Sequence, residues 1–122
     1  MAQINIGTDF SKDPAGRYYT DGEGSGEEFR EKYLLPKLRS LAPNETLEII
    51  LDDEVEGYGS SFLVEGFAGV VKFGYYPSDK LLSMIKLKYS EPDFSFYKEK
   101  IIQYIKEAQF NSKKYTPTKQ NG

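Results

Sequence analysis

Leu51 to Val71, LDDEVEGYGSSFLVEGFAGVV, reads as the end of a buried strand, an acidic glycine-bearing loop, and a helix opened by paired serines. Just upstream, Leu47, Ile49, Ile50 and Leu51 form a short apolar run dominated by branched residues. Such a run predicts a strand buried on both faces and central in its sheet. Downstream, Leu63, Phe67, Val70 and Val71 repeat as the apolar stripe of a helix. Gly66, Ala68 and Gly69 thin that helix, which is expected to serve close packing against the sheet. Ser60 and Ser61 fall in its first turn, where free backbone N–H groups and the helix dipole favour an oxygen-rich or anionic group.

Working outward toward the N-terminus, Ile4, Ile6, Thr8 and Phe10 alternate with polar or small residues, the period of a half-buried strand. Pro14 and Gly16 then mark a turn, and Arg17 to Thr20 is expected to return as a short second strand, making a hairpin. The glycine-dense loop Asp21 to Gly26 follows, with Ser25 as a cap for a helix from about Glu27 to Leu41. Pro36 must kink that helix or divide it near Leu35.

Toward the C-terminus, Gly74 closes the second helix and Pro77-Ser78-Asp79 turns the chain. Ile85, Leu87 and Tyr89 alternate with Lys86 and Lys88 as a strand with one wet face. Pro92-Asp93 opens a last helix with the stripe Tyr97, Ile101, Tyr104, Ile105 and Ala108. The order predicts one α/β domain over 1–110, a mixed sheet of about four strands with three main helices. A flexible polar tail, 111–122, is expected after it.

Composition narrows the chemistry. The 122 residues carry a formal charge of −3, ten Tyr and eight Phe, and no Cys or His. Without thiol or imidazole, Ser–His–Asp and Cys–His catalysis are excluded, as are disulfides and Cys-ligated metals. A serine hydrolase using Lys or a carboxylate as base finds no supporting local spacing. No apolar run approaches the ~20 residues of a membrane helix, and MAQINIG lacks a signal-peptide pattern, so a cytoplasmic protein is expected. The acidic balance argues against nucleic acid, and Lys113, Lys114 and Lys119 read as solvated.

Three features are candidate sites. The plain reading of Ser60 and Ser61 is helix capping; the functional one is a phosphoacceptor. The run Asp52, Asp53, Glu54 and Glu56 reads as a solvated acidic loop that could meet a basic partner, with a hard cation as the alternative. Gly24, Ser25 and Gly26, with Arg17 and Arg30 nearby, read either as a flexible loop or as an anion site for nucleotide or phosphate. No cofactor is implied. Tyr18, Tyr19, Tyr58, Tyr75 and Tyr76 divide between core and partner surface without a sequence signal to separate them.

Leu51-Asp52, Val55 and Gly59-Ser60-Ser61-Phe62-Leu63 resemble the strand-loop-helix signature of STAS domains, the fold of bacterial anti-sigma factor antagonists. Gly16-Arg17, Asp21-Gly22, Ser25-Gly26 and Phe29-Arg30, together with Glu65-Gly66-Phe67, are similar to the STAS-like domains of unknown function, in matching order across Ile4 to Phe110. The resemblance implies a non-enzymatic regulatory interaction module of bacterial or phage type that docks on a histidine-kinase-like ATPase. It also implies that Ser60 is the phosphoacceptor whose modification breaks docking. Asp53, Glu56, Tyr58, Gly59, Phe62 and Glu65 are then the expected partner-binding residues. The alternative reading is a small-ligand sensor for nucleotide or phosphate at the glycine-rich loop and the Ser60 helix start.

Overall fold

Three short strands, β1 (Gln3–Asn5), β2 (Leu47–Ile50) and β3 (Ile85–Lys88), pair in parallel in the order β1-β2-β3. They belong to a computed structural model that describes residues 2–118. Ile4 lies opposite Ile49, and Ile49 opposite Leu87, so the apolar members of all three strands share one face. Helices α1 (26–39), α2 (60–72), α3 (Ser78–Met84) and α4 (Ser95–Glu107) complete the fold. Both crossovers step the same way along the sheet, and right-handed connections then set α1 and α2 on the same face.

That one-sidedness corrects the expectation for β2. It is central, but only Leu47 and Ile49 are buried; Glu48 and Ile50 are half-covered on the face without crossover helices. The buried side is continuous with Phe29, Phe62, Phe67, Ile101 and Ile105 in one core. Phe29 stands at its centre, with ring centroids 5.5 Å from Phe10, 5.7 Å from Phe62 and 5.4 Å from Phe67.

The expected N-terminal hairpin is absent, which leaves three strands and an all-parallel sheet. After Asn5 the chain winds into a π-type turn, Ile6–Phe10. Asn5 directs this: its N–H donates to Asp9 Oδ2 (2.8 Å), its Oδ1 accepts from Thr8 N–H (3.2 Å), and its Nδ2 donates to Asp53 Oδ2 (2.7 Å). Gly7 permits the fit, since a Cβ there would stand 1.8 Å from Asp53 O. Arg17 to Thr20 forms no strand, because Asp21 Oδ2 accepts the Arg17 and Tyr18 N–H groups and curls the chain into a 3₁₀ turn at Tyr19–Asp21.

Pro36 neither breaks α1 nor ends it. The helix widens to π geometry over Arg30–Leu34 and resumes as α over Leu35–Arg39. A widened turn just before a proline accommodates its missing N–H and the ring that would strike the carbonyl four residues back. Gly74 closes α2 at φ +85°, as the sequence predicts. The turn expected at Pro77-Ser78-Asp79 instead starts α3, whose seven residues bury only Leu81. Residues 111–118 contain no helix or strand yet are tied to α2, where Asn111 N–H donates to Val71 O (2.9 Å) and Lys113 N–H to Lys72 O (3.2 Å). The remainder of the expected tail, 119–122, lies outside the described residues.

Candidate functional site

The loop from β2 to α2 is stitched down by its own side chains. Asp52 Oδ2 accepts the Ser90 and Glu91 N–H groups, each at 2.6 Å. Glu54, at φ +63°, pairs with Lys12 at 2.9 Å. Tyr58 donates its hydroxyl to Leu51 O (2.6 Å) and stacks on Phe62. Burial, with Asp52 nearby, pushes that phenol well above its ordinary value and keeps it protonated. Among the described residues, no three or more Asp or Glu side chains converge to hold a cation.

Gly59 is the N-cap of α2 and offers no side-chain acceptor. Ser60 and Ser61 therefore occupy the first helical positions and do not cap, contrary to the plain reading of the sequence. Ser60 is exposed and Ser61 half-buried, and neither hydroxyl has a hydrogen-bond partner among the described residues. Around them Asp53, Glu56 and Gly59 are exposed and Tyr58 is half-buried. Two residues expected on this edge are not on it: Phe62 and Glu65 are buried, Phe62 in the aromatic core and Glu65 toward α1. Helical spacing explains this, since both follow the serines on the inward side of α2.

Several N–H groups of the glycine-rich loop and the helix start after it are held by protein acceptors. Gly24 N–H donates to Glu28 Oε1 (3.1 Å), Gly26 N–H to Gly16 O (3.0 Å), and Glu27 N–H to Arg17 O (2.9 Å). Ser25 is the N-cap of α1, as expected, and its Oγ accepts from Glu28 N–H (3.1 Å). Gly24, Ser25 and Gly26 thus form a helix start closed in part by protein groups. Gly26 has a packing duty as well: a Cβ on it would lie 2.6 Å from Phe62 O and 2.9 Å from Gly66 N. Gly66 and Gly69 of α2 serve contact with α1, where an added Cβ would meet Phe29 at 3.3 Å and Arg30 at 2.5 Å, which corrects for these two the expected packing on the sheet.

Arg30 is likewise committed. It is fully buried; its Nη1 donates to Glu65 Oε2 (2.8 Å) and Glu65 O (2.7 Å), and its Nε to Glu31 Oε2 (2.8 Å). The guanidinium lies against the rings of Phe73 and Tyr115, 4.7 and 4.8 Å from their centroids. Gly69 makes way for it, for a Cβ there would stand 2.5 Å from Nη1. Burial opposes the charge, but the hydrogen bonds to Glu31 and Glu65 outweigh it and hold the group protonated. Arg17 remains half-buried, its Nη1 3.9 Å from Glu65 Oε1.

A second carboxylate, Glu27, anchors the C-terminal segment. Its Oε2 accepts from Tyr115 Oη (2.6 Å) and Thr118 N–H (3.0 Å), and its Oε1 from Tyr19 N–H (2.9 Å) and Thr118 Oγ1. Sequence reasoning missed this cluster. One signal pointed to it: Glu65 is the lone charge in the apolar stretch Phe62 to Val71, and a buried carboxylate demands a partner.

Among the described residues no helix is long and apolar enough to cross a membrane. No protein-family model, curated protein or solved structure matches the chain significantly.

Proposed function

We propose that this chain is a non-enzymatic regulatory module of STAS-like type, cytoplasmic, which docks on a protein partner through the edge from Asp53 to Ser61. The partner that the resemblance implies is a histidine-kinase-like ATPase, and Ser60 is the residue that switches the contact. One observation carries the reading: both serine hydroxyls stand at the start of α2 without a hydrogen bond, and Ser60 is open to solvent. A serine kept there for capping would be engaged with the backbone; these are not. Phosphorylation would place a charge of about −1.5 to −2 beside Asp53, Glu54 and Glu56, and that repulsion would reshape the loop or eject a partner.

The test is recovery of the protein from its native source, identification of the bound partner and of any phosphoserine by mass spectrometry, and calorimetry with the purified partner. Ser60→Asp is expected to weaken binding far more than Ser60→Ala. Equal affinities for the two variants would remove the switch, and absence of a partner would remove the docking edge. The nucleotide-sensor alternative finds less support at the glycine-rich loop, where the Gly24, Gly26 and Glu27 N–H groups donate to protein acceptors and Arg30 is buried against Glu65.

A further inference from the structure

Apart from the serine edge, residues 113–118 pass outside the Arg30–Glu65 pair and, with Tyr18, Glu65 and Lys72, enclose a cavity of about 170 Å³. Two properties of its lining point to a ligand. The first is Glu65, only 1% exposed, whose Oε2 is taken by Arg30 while its Oε1 has no hydrogen-bond partner; Nη2 of the buried Arg30 is likewise without one. Arg17 Nη1, at 3.9 Å, stops short of hydrogen-bond reach. A buried carboxylate oxygen without a donor is a strong unfilled acceptor. The second is that Lys72, Lys113 and Lys114 line the same cavity, none of them with an ion-pair partner among the described residues.

Glu65 shares the buried guanidinium of Arg30 with Glu31, and its second oxygen has only the half-buried Arg17 guanidinium at 3.9 Å, so one acceptor beside the cavity stays unfilled. The three lysines bring ammonium groups without a paired carboxylate to the same lining, in a chain whose formal total is −3. Tyr18 and Tyr115 lie along the walls. A dipolar space of this size suits a dipolar molecule.

We propose that this cavity binds a small molecule carrying a primary amine and an anionic group on one short skeleton. The ammonium donates to Glu65 Oε1, and the anion meets the lysines. A free amino acid and a phosphorylated amine share this chemistry.

The test is titration of the ¹⁵N-labelled full chain, followed by NMR, with L-alanine and with O-phosphoethanolamine. Propionate, ethylamine and inorganic phosphate, each bearing one of the two groups, are the comparison. At least one dipolar compound is expected to shift the amides around Glu65, Lys72 and Tyr115 saturably in the millimolar range, as befits so few atoms. Which of the two binds better identifies the anion. The single-group compounds should bind at least about tenfold more weakly. Lys113→Ala combined with Lys114→Ala, both at exposed positions, should leave thermal unfolding unchanged and weaken binding about tenfold. Glu65→Gln removes the acceptor charge, and should it fail to fold, the lysine variant carries the test. No saturable shift up to about 50 mM, equal binding of single-group compounds, or undiminished binding by the lysine variant would overturn the proposal.

Discussion

Glu27 shows how one side chain can hold a segment far away in sequence. Burial raises its carboxyl, but hydrogen bonds from the Thr118 and Tyr115 hydroxyls and from the Tyr19 and Thr118 N–H groups outweigh it and hold the group below the usual carboxylate range. A carboxylate whose pKa is lower folded than unfolded contributes stability that is complete above the unfolded value, about 4.3, and is lost as pH falls through the folded value. The segment around Tyr115 and Thr118 is therefore expected to loosen in acid, below about pH 4.3, before the core does. The Tyr115 ring protons, whose ring centroid is 5.3 Å from that of Phe73, report this in NMR spectra. Glu27→Gln, which keeps one acceptor oxygen for four donors, should loosen the same segment at neutral pH and flatten its acid transition. None of this was legible beforehand: in sequence Glu27 is one of several acidic residues at a helix start, and its partners in the C-terminal segment lie 88 and 91 residues away. Arg30 and Glu65 were each noticed, but the widened turn that aims Arg30 at α2 leaves no periodic trace.

The join between α1 and α2 depends on missing side chains. Gly26→Ala places a methyl against Phe62 O, Glu65 Cβ and Gly66 N, all nearer than 3.0 Å, with backbone on two sides. It is expected to lower stability by about 1–3 kcal/mol in urea unfolding, the usual penalty of overpacking. Gly59→Ser should act oppositely. Its φ of −82° suits any residue, nothing lies within 4 Å, and a hydroxyl there supplies the absent cap, worth a few tenths of a kcal/mol. At this scale the sequence was most readable where periodicity ran long, as in α2 and in the stripe Tyr97, Ile101, Tyr104 and Ile105 of α4. It misled where polar side chains override alternation: Asn5 and Asp9 turn a strand pattern into a π-type turn, and Asp21 does the same for Arg17 to Thr20. The seven residues of α3 were too few for a helical period to show.

The alternation of strand and helix announced an α/β architecture, and right-handed crossovers then determine that α1 and α2 share a face. The all-parallel order could not be foreseen while a hairpin was expected. The same order leaves β3 at a margin of the sheet. Leu51 N–H donates to Lys88 O, so Lys86 and Lys88 turn their peptide groups toward β2, and Leu87 turns its own outward. In colloidal terms, that free peptide edge is a seed on which identical molecules could add side by side, and the exposed ammonium groups on either side of it are what hold such neighbours apart. Lys86→Thr combined with Lys88→Thr is expected to leave the melting temperature nearly unchanged while light scattering of concentrated solutions rises with time. The two lysines would then be guardians of shelf life, with no share in holding up the monomer.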